Sequence, residues 1–271
     1  MKYLFILLVS CSAWSQSFEN LGSVSTSLGG AGVGSVNLVD GAFNNPAAFA
    51  LFEQRSLAMS FAKKAFRISL ADNGAEALFP ALLGYNQTDV KGFRTKAFYF
   101  GLAQPLSAKF SLGANLGFQE TQLPGKDDKY RQNLADIGVM YRPNTWFSVG
   151  AVVKNQPLND TDLSDTIDKR PTQAVGFEAK YDELVNLRGE LEAGKNTVSE
   201  QKMIVKAGME IILNEWLQMR LGYQNNNIIS QNYFTAGLGF GGPQFGLHYA
   251  YVKESEFEKE THQSIDLAVP F

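Results

Sequence analysis

From Phe110 to the C-terminus the chain alternates between apolar residues and polar or small ones, in segments about ten residues long. Phe110, Leu112, Ala114, Leu116 and Phe118 share one face of an extended strand, opposed by Ser111, Gly113, Asn115, Gly117 and Gln119. The pattern returns from Phe147, Val185, Met203, Leu217, Phe234 and Phe245, and it closes on Gln263, Ile265, Leu267, Val269 and Phe271. A period of two describes a strand with two unlike faces. Sandwich strands average about five or six residues, whereas a tilted strand needs about ten to cross a bilayer. The second face is glycine, amide and mixed charge rather than another apolar core. The expected fold class is therefore all-β: a transmembrane antiparallel β-barrel, with the apolar face toward lipid and the other toward the lumen. The apolar ending through Ile265, Leu267, Val269 and Phe271 suits a strand that closes the barrel and is read by the barrel-insertion machinery.

Connection lengths point the same way. Counted back from the C-terminus, ten turns alternate long and short: 254–261, 241–243, 225–231, 213–214, 194–200, 182–183, 156–171, 143–144, 120–130 and 106–109. Membrane barrels have short periplasmic turns and longer outer loops, so both termini are expected on the periplasmic side. Strands at 55–61, 65–70 and 77–85 would bring the total to fourteen. If 63–92 is instead one loop, the total is twelve. Both are even, as single-chain bacterial barrels are.

The N-terminus is Met1, Lys2 and the apolar run Tyr3 to Val9, followed by small residues, which reads as a secretory signal peptide. Ala13-Trp14-Ser15 suits cleavage after residue 15, and Leu8-Val9-Ser10-Cys11 suits a lipobox that would leave Cys11 lipidated. The first is favoured because an integral barrel needs no lipid anchor. The expected organisation is a signal peptide at 1–15, a lumen plug at 16–54 and an outer-membrane barrel at 55–271. Cys11 is the only cysteine, so a mature chain starting at Gln16 has neither a disulfide nor a thiolate metal site. A net charge of −3 implies no nucleic-acid surface.

Leu21 to Phe52 is rich in Gly, Ala, Ser and Asn and has no amphipathic period. Irregular backbone cannot satisfy its hydrogen bonds in lipid, so this segment needs the shelter of the lumen. Asn44-Asn45-Pro46 reads as a turn opening a short helical stretch over Ala47 to Phe52. The glycine run is not a nucleotide loop, because Ser35 holds the last position of G-x-G-x-x-G. Leu28-Gly29-Gly30-Ala31-Gly32, Asp40-Gly41-Ala42 and Asn45-Pro46-Ala47 together resemble the N-terminal signature of the FadL-like outer-membrane proteins. That group includes the long-chain fatty acid transporter and smaller barrels associated with type IX secretion. The resemblance implies fourteen strands, with Gly29, Gly30, Gly32, Asn45, Pro46 and Ala47 as the lumen plug motif. It also implies passive transport of small hydrophobic molecules, with ligand leaving sideways where a strand is kinked. A non-transport role, as accessory or shuttle subunit of an envelope machine such as type IX secretion, is the alternative. Outer-membrane lipids are expected partners, with a hydrophobic small molecule or an envelope protein as the further one.

No catalytic, cofactor or metal site is expected. His248 falls on the lumen face with no serine two positions on, and Asp160, Asp162, Asp165 and Asp168 do not match a calcium loop. Seven inward charges cluster on three neighbouring strands: Arg188, Glu190, Glu192, Lys202, Lys206, Glu210 and Arg220. Their mixed signs suit pairing across strands and fastening of a plug better than an ion-selective pore.

Overall fold

The structure, a computed structural model, describes residues 22–90, 92–125, 129–159, 171–195, 201–255 and 261–271. The signal-peptide reading, Cys11 and the aspartates of 160–168 lie outside these residues. Among them, fourteen strands form one closed antiparallel barrel. They are β1 Ser56–Ala62, β2 Ala65–Asp72, β3 Ala81–Val90, β4 Phe93–Pro105, β5 Phe110–Gln122, β6 Lys129–Asn144 and β7 Phe147–Pro157. They continue as β8 Thr172–Tyr181, β9 Val185–Lys195, β10 Gln201–Ile212, β11 Leu217–Asn226, β12 Gln231–Gly241, β13 Gly246–Glu254 and β14 Thr261–Pro270.

Each strand pairs with its sequence neighbours, and β1 pairs with β14 to seal the wall. At that seam Leu57, Met59 and Phe61 stand opposite Val269, Leu267 and Ile265, while Ser56, Ala58 and Ser60 stand opposite Pro270, Ala268 and Asp266. One face of the seam is apolar and the other polar or small, so a slip of one residue would turn the wrong face to lipid. Beyond the last strand, the Phe271 N–H donates to the Arg55 carbonyl at 3.0 Å.

Two expectations need correction. The twelve-strand count does not hold, because 63–92 forms strands rather than a loop. The third strand begins at Ala81 rather than 77, since 73–80 is a turn. The loop rhythm is also less regular than its count. The ladder between β11 and β12 runs to Asn226 and Gln231, so that connection is four residues and no longer than 213–216. The turn 73–80, at the same rim as the C-terminus, is eight residues.

The outward faces remain apolar and exposed along the wall, as at Phe98, Phe118, Ile137, Phe177, Leu187, Leu221, Phe234 and Ile265. A continuous apolar surface of this extent belongs in lipid rather than water. Trp146, Tyr181, Trp216, Phe245 and Phe271 are exposed around the C-terminal rim, where girdles of aromatic residues mark the membrane boundary of such barrels.

Among the described residues the β6–β7 ladder shifts register twice, at Tyr141/Asn144 beside the C-terminal rim and, further along the strands, at Ala135/Ile137. Ala135 pairs with Gln156 and Ile137 with Val153, so two residues of β7, Lys154 and Asn155, face the single Asp136 of β6. This is a β-bulge. Asn155 takes φ +54°, a left-handed value that asparagine tolerates, and its N–H donates to Asp136 Oδ1 at 2.8 Å.

Candidate functional site

Residues 22–52 fill the lumen. They form α1 Ser23–Ser27, α2 Gly41–Asn44 and a 3-10 turn Ala48–Leu51, joined by tight turns. Neither α-helix exceeds five residues, and nearly every residue of the segment is buried. A chain packed against a barrel wall needs the wall to recede, and the inward face does so at glycines. Gly113 and Gly138 face each other across β5 and β6, Gly150 and Gly176 across β7 and β8, and Gly208 and Gly222 across β10 and β11. Gly237 of β12 extends the set. A Cβ on Gly113 would overlap the Pro46 carbonyl, on Gly138 Asn45 Oδ1, on Gly150 the Val33 carbonyl, and on Gly222 the Gly29 nitrogen. On Gly208 it would overlap Leu28, and on Gly237 the Ser27 side chain. The wall therefore carries a girdle of flat seats at the level where the plug backbone lies. From the plug side, Gly29 and Gly30 turn beside this girdle at φ +70° and +83°, where a Cβ is costly.

Polar contacts fasten the plug above and below its seats. Glu190 is central. Its Oε2 accepts the N–H groups of Gly32 and Val33 at 2.8 and 2.9 Å, and its Oε1 accepts Lys206 Nζ at 2.7 Å. Lys206 also reaches Glu192 Oε2 at 2.6 Å. Ser148 Oγ donates to the Gly34 carbonyl, Asn115 Nδ2 to the Ala42 carbonyl and Ser111 Oγ to the Ala47 carbonyl. Thr235 Oγ1 donates to the Ser27 carbonyl and accepts the Gly29 N–H. On β14, Asp266 accepts the Ser23 N–H. Inside the plug, Asp40 gathers α1 and α2 by accepting the Ser25 N–H and hydroxyl, each at 2.9 Å, and Asn44 Nδ2.

A belt of paired charge lies nearer the C-terminal rim. Arg188 Nε meets Glu178 Oε1 at 2.9 Å, Arg220 Nε meets Glu210 Oε2 at 2.6 Å, and Asn186 Nδ2 donates to Glu210 Oε1 at 2.6 Å. The lumen face also holds His248, whose Nδ1 lies 3.3 Å from Arg220 Nη1. Buried ions of this kind persist only when matched by opposite charge and hydrogen bonds. Of the seven charges singled out from sequence, six enter such pairs, and Lys202 has no ion pair among the described residues. Glu178, which the sequence pattern did not bring forward, completes the belt.

Asn45 holds the middle of the plug. Its Nδ2 donates to the carbonyls of Val33 and Val139, each at 3.0 Å, and its Oδ1 accepts the Ala47 N–H. Pro46 follows over Gly113, and Ala47 and Ala48 join Phe49 in a cluster against Ala71, Leu82, Ala103 and Met140 of the wall.

Beside the bulge the outer wall is hollowed. A recess of about 480 Å³ is lined by the outward-facing Ile137, Ala151, Val153, Val175 and Met203. Val152, Ala174 and Glu192, which face the lumen, also contribute to it. The recess lies over β6–β10, where the ladders of β7, β8, β9 and β10 stay continuous beneath it, and Glu192 in its lining also belongs to the Lys206–Glu190 cluster that grips the plug.

Several solved structures share this architecture. The monoaromatic hydrocarbon channel CymD superposes with a TM-score of 0.66 at 13% identity, over 92% of this chain and 97% of that one. The Pseudomonas putida toluene transporter TodX gives 0.65 at 10%, over 92% and 96%. A Pseudomonas aeruginosa FadL homologue gives 0.65 at 10%, over 92% and 98%. No family model and no curated protein matches the chain. The fold is FadL-like.

In this FadL-like barrel Asn45 is a good measure of how firmly the plug is held. Asn45→Ala removes the side-chain partners of the Val33 carbonyl and the Ala47 N–H, at about 1–3 kcal/mol each, and the plug's bond to the Val139 carbonyl of the wall. The expected result is faster amide exchange throughout 22–52, with the exchange of the β-strands unchanged. Unaltered exchange in that segment would mean that the plug is held without this side chain.

Proposed function

We propose that this chain is an outer-membrane channel of a Gram-negative envelope that passes small hydrophobic molecules. In this reading residues 1–15 are removed on export, the termini face the periplasm, and cargo leaves the lumen sideways into the bilayer beside the β7 bulge. The observation that carries it is the pairing of an occupied lumen with a wall that is bulged and hollowed at one place. The plug obstructs a straight aqueous path, whereas the recess offers an apolar surface that opens on lipid beside the bulge. Hydrocarbons gain by moving from water to such surfaces. The likeness to channels described for monoaromatic hydrocarbons supports the same class of cargo.

The test is uptake of labelled toluene by cells producing the protein, against Val153→Trp, which places an indole in the recess. The native chain is expected to raise the uptake rate severalfold over cells without it, and the variant to remove most of that gain. Uptake equal to cells without the protein overturns the reading. A stoichiometric protein partner retained in mild detergent, together with no uptake, would move it to an accessory subunit of an envelope machine such as type IX secretion.

A further inference from the structure

On β3–β6 the outward apolar face ends at a clear boundary. Phe98 of β4 and Phe118 of β5 stand opposite each other there, both exposed, and Tyr85 of β3 packs against Phe98 with ring centroids 4.9 Å apart. The next two outward rungs, toward the rim away from the C-terminus, are charged. Gln87, Lys96, Glu120 and Arg131 form the first, and Asp89, Arg94, Gln122 and Lys129 the second. Phe110 opens the outward run of β5 at the C-terminal rim, ten residues before Glu120. At about 3.4 Å per residue and a tilt of about 40°, that run climbs about 26 Å. The apolar band of membrane barrels is about 25 Å tall, so the charged rungs begin where hydrocarbon gives way to headgroups.

Four cations meet two carboxylates in these rungs. Lys129 Nζ lies 2.9 Å and Arg131 Nε 3.6 Å from Glu120, and Arg94 Nη2 lies 3.4 Å from Asp89. Lys96 stands opposite Glu120 in register and has no ion pair among the described residues. The Arg131, Lys129 and Arg94 side chains stay 81%, 55% and 54% exposed. Pairs this open are worth little and leave the cations available to another anion. The turn between β1 and β2 borders the patch with Lys63 and Lys64, and the Lys64 carbonyl accepts the Asp89 N–H at 2.7 Å. Lys91, Lys126, Asp127 and Asp128 of the adjoining turns lie outside the described residues and carry as much charge of one sign as of the other. On β11–β14 the outward positions toward the same rim include Asn225, Asn232 and Gln263, with Lys253 as the one cation among the described residues. The positive excess is therefore local to one flank.

We propose that this flank binds a phosphorylated glycolipid of the outer leaflet, its phosphates on Arg94, Lys96, Lys129 and Arg131 and its acyl chains on Phe98 and Phe118. Arginine and lysine are the usual partners of phosphate oxygens, and basic groups at headgroup depth are attracted to anionic lipid. The cations of β4 and β6 are two strand spacings apart, about 10 Å. Two phosphates on one molecule engage both strands, where a lipid with one phosphate engages one. The proposal rests on the termini facing the periplasm, which puts this rim in the outer leaflet, and asks nothing of transport.

The experiment is native mass spectrometry of the purified, detergent-solubilised full chain titrated with lipid A bearing two phosphates, with the same lipid stripped of both, and with phosphatidylglycerol. The native chain is expected to bind the bisphosphorylated lipid at least tenfold more tightly than either of the others. Arg94→Gln combined with Lys96→Gln should weaken it by about tenfold or more. Lys109→Gln combined with Lys253→Gln removes the same charge at the opposite rim and on β13, and should leave the affinity unchanged. Equal affinity for the phosphorylated and the stripped lipid overturns the proposal. So does a folded Arg94/Lys96 variant that binds as the native chain does, or an equal loss in the Lys109/Lys253 variant. Phosphatidylglycerol bound as tightly as the bisphosphorylated lipid would overturn the glycolipid as the occupant. Toluene uptake in the Arg94/Lys96 variant should match the native rate, so failure here leaves the transport reading intact and failure of uptake leaves this one intact.

Discussion

Replacing Glu190 by alanine should release the plug at its centre and open the lumen to ions. Three groups lose their acceptor at once: the N–H groups of Gly32 and Val33, and Lys206 Nζ, which keeps only Glu192. Breaking a buried charge pair by removing one partner costs about 3–5 kcal/mol, because the remaining charge is left in a poor solvent. Stranding two N–H groups adds about 1–3 kcal/mol each where water does not replace the acceptor. In planar bilayers the native chain is expected to conduct little and Glu190→Ala to show frequent openings. Glu190→Gln should fall between them, since an amide oxygen still accepts an N–H but no longer neutralises Lys206. Native-like conductance in Glu190→Ala would mean that the glycine seats alone hold the plug.

The glycine girdle gives the second large effect. Gly222→Val pushes a branched side chain into the Gly29 nitrogen, the Leu28 carbonyl carbon and Thr235 Oγ1. Neither side has room to yield, because Gly222 lies in a continuous ladder between β10 and β11 and Gly29 already sits in a left-handed turn. Overpacking commonly costs about 1–3 kcal/mol, and here relief comes most easily by expelling the plug rather than by deforming the sheet. The variant should therefore keep the shifted gel mobility of an unheated barrel while residues 22–52 become open to protease. Gly125→Asn is the control: that glycine is left-handed like Gly29, asparagine tolerates such a φ, and nothing among the described residues lies within 4 Å of its Cβ position. It should change neither readout. If Gly222→Val leaves the segment as protected as in the native chain, the plug is not seated on this girdle as described.

Much of the barrel is legible in the sequence because lipid and lumen impose opposite demands on successive residues. Where that contrast fades, so does the reading. The inward positions of the early strands include Ala71 and Leu82, which pack on Phe49 and Ala48 of the plug. At those two positions both faces are apolar and the contrast narrows, although Arg67 and Ser69 keep the rest of the inward face of β2 polar. The β7 bulge is hidden for another reason. Lys154, Asn155 and Gln156 are polar in sequence and resemble the start of a loop, although the strand runs on to Pro157. The inward glycines are readable as inward, but their function as seats depends on a segment distant in the chain. The grip of Glu190 is on backbone N–H groups, which every residue but proline possesses, so no pattern of side chains announces it.

The same contacts tie the two ends of the chain together. Ser23 and Asp266, 243 positions apart in the chain, are joined inside a wall whose closing seam is β1 against β14. The Ser23 and Ser264 hydroxyls meet beside them at 2.9 Å. Once that seam has formed, the closed wall gives a peptide segment no side entrance, and the plug communicates with the outside only through the ends of the barrel. The first described residues are bonded to the last strand, so plug and seam steady each other across almost the whole length of the chain. Contacts between the two ends of a chain are the slowest kind to complete.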